Sequence, residues 1–174
     1  AWAPTAALAG PGDPAQHPLV ATGRARVQDE GSQLAALALS RSRAAGSGER
    51  WLDLCAGPGG KAALLAAEAR AVGAVLVANE VVPARAGLVR KALQTIDPGV
   101  EVRTGDGRSI GVEEPQRYDR ILLDAPCTGL GALRRRPEAR WRKTSDDVAP
   151  LARLQGELLR SAVAALAPGG LLAY

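Results

Sequence analysis

Two short stretches of this sequence carry residues that could perform chemistry, and the first is a glycine-rich turn. It follows an apolar run at 51–54 and precedes an Ala- and Leu-rich segment that favours a helix. Glycine lets the backbone approach a ligand closely, and the first turn of a helix offers N–H groups without intrahelical partners. Strand, turn and helix therefore predict a ligand-binding corner of a doubly wound α/β sheet. The turn reads Cys55-Ala56-Gly57-Pro58-Gly59-Gly60-Lys61.

Three ligands that contain a nucleoside could use such a turn. A nucleoside triphosphate is disfavoured, because Cys55 replaces the first glycine of its motif and Ala62 replaces the required Ser or Thr. A dinucleotide fits better, since Gly57, Gly59 and Ala62 satisfy G-x-G-x-x-G/A. Glu80 also lies near the distance expected for a ribose-binding acid. S-adenosylmethionine requires a glycine turn and a ribose-binding acid as well, so this stretch alone leaves the last two ligands open.

The second stretch is Asp124-Ala125-Pro126-Cys127, which follows a predicted strand. Pro126 stiffens the turn and presents Cys127 on a loop, a setting that favours a chemical role for the thiol. A thiolate beside a methyl donor suits methylation at carbon 5 of a pyrimidine. Its addition at carbon 6 makes the ring nucleophilic and divides one difficult step into easier ones. Asp124 could select cytosine through the exocyclic amine and the ring nitrogen.

Together these motifs resemble the Sun/Nop family of RNA cytosine-5 methyltransferases. The likeness rests mainly on 53–61 and 124–129. The segment at 27–33, Val-Gln-Asp-Glu-Gly-Ser-Gln, is similar to the family's lead into its catalytic domain. Arg135-Arg136-Pro137-Glu138 with Trp141 resembles the stretch after the family's second motif. The resemblance covers nearly the whole chain and is greatest to the bacterial Sun/RsmB type, which acts on small-subunit ribosomal RNA.

This resemblance implies S-adenosylmethionine as the cofactor and gives roles to individual residues. Glu80 would bind the ribose hydroxyls with Arg85 nearby, and Asp106 would contact the adenine. Asp124 would lie between the cofactor and the target base as a cofactor-binding and catalytic residue. Cys127 would be catalytic by assisting release of the methylated base. The remaining cofactor-binding residues would be Cys55, Ala56, Gly57, Pro58, Gly59, Gly60 and Lys61.

The same resemblance implies that the nucleophilic cysteine belongs to a Thr-Cys motif just after strand five, beyond Tyr174. We therefore expect the chain to be a C-terminally incomplete, monomeric core without methyl transfer of its own. Two alternatives stay open: a dinucleotide-dependent oxidoreductase, from the glycine turn, and a non-catalytic RNA-binding fragment, from a basic segment. In that segment Trp141 is interpreted as an anchor to the core. The residues predicted to bind RNA phosphates are Arg134, Arg135, Arg136 and Arg140.

Composition bounds these hypotheses. The 174 residues are 47% hydrophobic, enough for one domain with a core, and the absence of Phe predicts a core of Leu, Val, Ala and Ile. A net charge of +4 is compatible with RNA as partner. Two cysteines and one histidine exclude a His/Cys zinc cluster, so no metal is expected. No membrane span or signal peptide is visible, which favours a cytoplasmic protein.

The elements that must hold these residues follow the order β-α-β-α-β-β-α-β. We predict an α/β fold, a Rossmann-like class I methyltransferase sheet truncated at the start of strand five. Asp53, Glu80, Asp106 and Asp124 would share the carboxyl edge of that sheet. Residues 1–26 would be an irregular lead-in with His17 at the surface, and 27–174 the methyltransferase core. The finer predictions are a strand at 24–28, a helix from about 28 to 42 capped by Asp29 or Ser32, strands at 51–54, 75–79, 100–104, 118–123 and 171–174, and a long helix capped by Ser145.

Overall fold

The computed structural model describes residues 12–133, 137–142 and 144–174 of the chain. Its strands are β1 (Arg50–Asp53), β2 (Val75–Asn79), β3 (Glu101–Arg103), β4 (Tyr118–Leu122) and β5 (Leu166–Ala173). Its α-helices are α1 (Pro18–Ala21), α2 (Glu30–Arg41), α3 (Gly60–Val72), α4 (Pro83–Leu93), α5 (Ile110–Glu113), α6 (Ala139–Arg142) and α7 (Val148–Ala165). Single 3-10 turns occur at Pro14–Gln16, Leu130–Ala132 and Ser145–Asp147.

The strands form one parallel sheet in the order β3-β2-β1-β4-β5, which confirms the predicted α/β class. Strand β1 lies at the centre, with β2 on one side and β4 on the other. The chain therefore reverses its direction of winding at β1, and a ligand site is expected beyond the carboxyl end of that strand. The glycine turn and the loop after β4 both leave the sheet at this edge.

Alternate side chains of the strands feed two separate cores. On one face Trp51, Leu76 and Ala78 pack with the alanine side of α3 and with α2 and α4. On the other face Leu52 and Ile121 pack against α7, which contributes apolar residues from one stripe. Small alanines let α3 approach the sheet closely, and Leu, Val, Ala and Ile supply most of the core, as predicted. Trp51 and Tyr118 are buried in it as well, which the predicted composition did not include.

A buried arginine closes the amino-terminal edge of the sheet. Arg120 in β4 is fully buried, and its Nε donates to Glu49 Oε2 at 2.7 Å. Its other nitrogens donate to the carbonyl oxygens of Leu39, Ser40 and Arg43 at the end of α2. The guanidinium carbon lies 5.1 Å from the centroid of Trp51. Because its nitrogens all reach acceptors, this charge ties α2 to β1 and β4.

Several local predictions differ from the structure. Residues 24–28 form no strand, because they pair with no other strand, and 12–26 include α1 rather than being wholly irregular. Asp29 is the N-cap residue of α2, while Thr144, and not Ser145, forms a capping box with Asp147 before α7. The sequence analysis missed α5 altogether.

Strand β5 begins at Leu166, five residues earlier than predicted, since a bulge accommodates the Pro-Gly-Gly that was expected to precede the strand. Tyr118 is paired with Leu166 and Arg120 with Leu171, so the extra residues of β5 lie between these two pairs. Gly169 takes a φ of +75° within the bulge, a value that suits glycine.

Candidate functional site

The glycine turn is shaped by two close approaches. Gly59 has a φ of +104°, and a Cβ at this position would lie 2.7 Å from the Cβ of Ala92 in α4. A Cβ on Gly57 would collide with the carboxylate of Glu80. Both glycines therefore let the turn pack against β2 and α4 while α3 begins directly after it.

Glu80 follows β2 and is buried beneath this turn. Its Oε2 accepts from the Gly57 amide at 3.0 Å, and its Oε1 accepts from the Val82 amide at 2.9 Å. Arg85 Nη2 lies 2.9 Å from Oε1. A carboxylate has about four acceptor positions. Three contacts thus fix Glu80 and leave capacity for a ligand hydroxyl, as the predicted ribose role requires.

Asn79, the last residue of β2, is a positioning residue that the sequence analysis missed. Its Nδ2 donates to the carbonyl oxygens of Leu54 and Gly105, each at 3.1 Å. Its backbone carbonyl oxygen accepts from the Ala56 amide at 2.8 Å. This one buried residue thereby joins the end of β2 to the loops after β1 and β3. A polar residue that ends a buried apolar strand was the available signal.

A cavity of about 130 Å³ opens where the glycine turn meets the loop after β4. Seven of the predicted cofactor-binding residues line it: Cys55, Ala56, Gly57, Pro58, Gly60, Lys61 and Asp124. Three further residues line it that were not assigned to cofactor binding, although Asp53 was expected at this edge of the sheet: Gln28, Ser32 and Asp53. Glu80 contacts the turn from below, whereas Arg85 and Asp106 lie outside the lining.

The two motifs of the sequence meet at one ion pair. Lys61 Nζ, in the first turn of α3, lies 2.6 Å from Asp124 Oδ2, in the loop after β4. The same ammonium group donates to Ser32 Oγ of α2 at 3.3 Å. Lys61 is largely buried and Asp124 more than half exposed. The lysine therefore draws three elements together and holds the Asp124 carboxylate at the rim of the cavity.

Asp53 forms the floor of the cavity and is only 1% exposed. Neither of its carboxylate oxygens has a hydrogen-bond partner within the described part of the chain. Burial, and then the charge of Asp124, raise the pKa of Asp53 to about 7. Gln28 Nε2, which also lines the cavity, is likewise buried without a partner among the described residues.

The two cysteines differ in environment. Burial, followed by the nearby charge of Asp53, raises the pKa of Cys55 to about 12, so this thiol stays protonated. Cys127 is exposed on the loop after β4. That loop is held to α7 by Gln155 Nε2, which donates to the Pro126 carbonyl oxygen at 2.8 Å. Of the two thiols, that of Cys127 is the more accessible to a substrate.

Asp106 lies in the loop after β3 and is held by Arg108 through its carboxylate. The hydrogen bonds from Arg108 hold the pKa of Asp106 below its usual range. Arg108 also contacts Glu157 of α7 at 3.1 Å. The carboxylate is thus ionised and partly exposed, and its predicted contact with adenine stays a prediction.

The predicted RNA-binding segment is described only in part. Arg134, Arg135 and Arg136 lie outside the described residues. Arg140 is exposed in α6. Trp141 is 85% exposed and does not anchor the segment to the core, because α6 presents its ring to solvent. The structure therefore corrects that interpretation and leaves an indole beside exposed arginines.

Metal ligands do not cluster in the described part of the chain. No three of its His, Cys, Asp or Glu side chains come together in a way that could hold a metal ion. Over the same ranges, no helix has both the length and the apolar character needed to cross a bilayer.

Comparison with known proteins gives concordant matches. The family described as 16S rRNA methyltransferase RsmB/F matches residues 43–174. Rv1407 of Mycobacterium tuberculosis (strain ATCC 25618 / H37Rv), named only as a methyltransferase, is 51% identical over 173 residues. Ribosomal RNA small subunit methyltransferase B of Vibrio cholerae (serotype O1, strain ATCC 39315 / El Tor Inaba N16961) is 40% identical over 165 residues.

These matches cover 99% and 94% of this chain but 37% of each relative, so the chain spans little more than a third of their length. The crystal structure of PH0851 superposes with a TM-score of 0.81 at 32% identity, covering 93% of this chain and 36% of that one. With the observed strand order, the superposition and the family match confirm the predicted Rossmann-like methyltransferase sheet.

Proposed function

Since this chain belongs to the RsmB/F family of 16S rRNA methyltransferases, we propose that it forms the cofactor-binding core of an enzyme that methylates carbon 5 of cytosine in small-subunit ribosomal RNA. The observation that carries this proposal is the 2.6 Å contact of Lys61 with Asp124, which joins the glycine turn to the loop that bears Cys127. A methyl donor and a base-recognising carboxylate would meet at that contact. A dinucleotide-dependent oxidoreductase, open from the turn alone, does not agree with this family.

The residues of the corner fit S-adenosylmethionine, which supplies the methyl group when bound. Side chains at 57 and 59 would collide with Glu80 and Ala92, so these glycines let the turn pack tightly against the protein, with the first N–H groups of α3 directly after it. Glu80 is held rigidly and retains acceptor capacity for ribose hydroxyls. Family membership as a methyltransferase supports this cofactor over a dinucleotide.

Asp124 and Cys127 would act on the target base. Lys61 holds the Asp124 carboxylate at the cavity rim, where it can accept a hydrogen bond from the exocyclic amine of cytosine. Cys127 lies three residues further along the same exposed loop and could remove the proton that permits release of the methylated base. That a second cysteine beyond Tyr174 is the nucleophile stays a prediction from the resemblance.

RNA would approach over α6. A target base must be unstacked before it reaches the cavity, and its flanking phosphates then require neutralisation. Arg140 and Arg142 are exposed for this role, and the exposed indole of Trp141 offers a platform for a base. Arg134, Arg135 and Arg136 are proposed to bind RNA phosphates as well.

Calorimetry with the full chain tests the cofactor. We expect S-adenosylhomocysteine to bind and NAD not to bind. Binding of NAD in place of S-adenosylhomocysteine would return the chain to the oxidoreductase hypothesis.

The reaction is tested with the complete protein, 16S rRNA and labelled S-adenosylmethionine, followed by nucleoside analysis for 5-methylcytosine. Cys127→Ala should accumulate a covalent RNA adduct on a denaturing gel. Cys55→Ala, the matched control with a partly buried thiol in the glycine turn, should accumulate none. Label in another nucleoside, or adduct formation in both variants, would refute the assigned chemistry.

A further inference from the structure

The loop after β4 carries both residues that are proposed to act on the target base, yet few contacts hold its backbone. No backbone hydrogen bond within the described ranges involves residues 124–128. Pro126 has no N–H group and cannot donate one. Two polar side-chain contacts secure the loop over those ranges: Lys61 lies 2.6 Å from the Asp124 carboxylate, and Gln155 of α7 donates to the Pro126 carbonyl oxygen at 2.8 Å. The positions of the reactive groups therefore depend on these two side chains.

The contact from Gln155 bears directly on Cys127. The carbonyl oxygen of Pro126 belongs to the peptide group that joins Pro126 to Cys127, and the atoms of a peptide group lie in one plane from one Cα to the next. A hydrogen bond that fixes the direction of this oxygen thereby fixes the plane that ends at the Cα of Cys127. Lys61, in contrast, holds the side chain of Asp124, three residues earlier. The two anchors thus serve different reactive residues.

Helix α7 is a firm support for the Gln155 contact. Leu158, one turn beyond Gln155, is buried in the core on that face of the sheet. Ser161, a further turn along, is buried as well: its Oγ donates to the Gly107 carbonyl oxygen at 2.7 Å and accepts from the Gly111 amide at 2.9 Å. These contacts fix α7 against the loop after β3 and against α5. The core therefore sets the position of Gln155 independently of the loop that it holds.

The loop packs against the same core just before it becomes exposed. Ala125 is partly buried and packs, like Leu154 of α7, against the cluster that contains Leu158. Pro126 and Cys127, which follow, are exposed. In the described part of the chain, the hydrogen bond from Gln155 is the last polar contact of the loop before the thiol.

We infer that Gln155 is a positioning residue for Cys127, which it holds where the thiolate can take the proton from carbon 5 of the methylated base. This role rests on the proposed function, in which Cys127 assists release. In that step the Cys127 thiolate takes the proton from carbon 5, and the double bond between carbons 5 and 6 re-forms. The bond from carbon 6 to the nucleophilic sulfur breaks, and its electron pair returns to that sulfur. A misplaced thiol should slow this step and leave the earlier methyl transfer nearly unchanged.

The complete protein, 16S rRNA and labelled S-adenosylmethionine allow the two steps to be measured separately. A single turnover stopped at successive times gives the rate of methyl transfer, and the decay of the covalent adduct on a denaturing gel gives the rate of release. Two variants remove the contact: Gln155→Met has a similar length but no N–H donor, and Gln155→Glu places a carboxylate opposite the carbonyl oxygen. Gln94→Met, at an exposed position at the end of α4, is the matched control. Thermal melting confirms that each variant folds.

Both Gln155 variants should slow release roughly two- to tenfold, the factor that corresponds to one neutral hydrogen bond, with Gln155→Glu the slower. The adduct should accumulate, while single-turnover methyl transfer stays within about twofold and the affinity for S-adenosylhomocysteine is unchanged. Gln155→Met combined with Cys127→Ala should give no more adduct than Cys127→Ala alone, because the glutamine acts through the cysteine. Gln94→Met should change none of these quantities.

Equal slowing of methyl transfer and release would overturn the inference, because Gln155 would then support the loop as a whole. Unchanged release in the Gln155 variants would overturn it as well, since the loop would hold Cys127 without this contact, and so would additional adduct in the double variant. If Cys127→Ala itself accumulates no adduct, the release chemistry of the proposed function fails, and the role of Gln155 with it. Adduct in Cys127→Ala but in neither Gln155 variant would remove the role of Gln155 alone.

Discussion

Replacement of Asp53 by Asn should make the ligand-free chain more stable at neutral and alkaline pH. The carboxylate is buried and has no hydrogen-bond partner among the described residues. An ionised carboxylate in that position is costly, and an amide of the same shape carries no charge. The variant should therefore be the more stable chain wherever the Asp53 carboxylate of the unaltered chain is ionised.

The pH dependence gives the magnitude. Burial and the charge of Asp124 raise the pKa of Asp53 to about 7 from its usual 3.8. Between these values the unfolded chain is ionised at this residue while the folded chain keeps the proton. Each pH unit in that interval lowers the free energy of unfolding by about 1.4 kcal/mol. The loss amounts to about 4 kcal/mol by pH 7, is complete above about pH 8, and is absent from the Asn variant.

Urea unfolding of both chains between pH 4 and 8.5 measures this difference. The stability advantage of Asp53→Asn should be small near pH 4, grow up to about pH 7 and then become constant. Lys61, Glu80 and Asp124, whose charges act on Asp53, are present in both chains, so the comparison isolates the change at Asp53. Asp146→Asn controls for the removal of one exposed acid. A difference that does not vary with pH, or a less stable variant at pH 8, would refute the reasoning.

Five further changes test other parts of the structure. Gly59→Ala should destabilise the chain by roughly 2–4 kcal/mol in urea unfolding, because strain from its positive φ adds to a clash with Ala92. Gly48 also has a positive φ, +84°, but no atom lies near the position that a Cβ would take, so Gly48→Ala is the control that shows the strain alone. Between pH 5 and pH 2, the free energy of unfolding of Glu49→Gln should fall by about 3 kcal/mol less than that of the unaltered chain. Burial alone would raise the pKa of Glu49, but hydrogen bonds led by that from Arg120 lower it to about 2. The stabilisation that this carboxylate gives the fold is therefore present above pH 4.5 and is lost as the pH falls from there to about 2. Glu80→Ala should weaken S-adenosylhomocysteine and methylthioadenosine equally, by about tenfold or more in calorimetry, because both carry the ribose; unaltered affinity would remove Glu80 from the site. Arg140→Ala with Arg142→Ala should reduce the slope of log RNA affinity against log salt by about 0.7–0.9 for each phosphate that the protein no longer neutralises, and an unaltered slope would make α6 a solvated surface. Trp141→Ala should weaken RNA binding at an unchanged slope, and Arg153→Ala, which removes an exposed charge from α7, should do neither.

Sequence patterns predicted the sheet well, because strands at its centre are short apolar runs bounded by glycine, proline or acids. Strand β2 was predicted with the bounds that the structure shows, and the turn at 55–61 was correctly expected between a strand and a helix. The bulge in β5 was missed for a physical reason. Pro168 and Gly169 normally end a strand, and only pairing with β4 on both sides of them keeps this one continuous.

Side-chain partnerships were harder to predict than elements. Arg120 lies in β4, where an alternating pattern gives no sign that its charge is buried, and its partners come from α2 and from Glu49. Gln28 and Asn79 are short polar residues at the ends of elements, where capping and turn roles are common. Their contacts with the cavity and its loops depend on distances across the fold, which local sequence does not encode.

The two ends of β1 explain why the site lies where it does. At the amino end, Arg120, Glu49 and Trp51 form a buried network in which the donors of the guanidinium and the indole reach acceptors. At the carboxyl end, Asp53 is equally buried but has no partner in the described part of the chain. Both ends carry a buried ionisable group, but only at the amino end do its hydrogen-bonding atoms have partners among the described residues. A satisfied network rigidifies the sheet, whereas an unsatisfied carboxylate keeps free energy that a cationic ligand can recover on binding. The central strand therefore has a rigid amino end and a carboxyl end at which a ligand can bind. The loops that carry Lys61 and Asp124 meet at that carboxyl end.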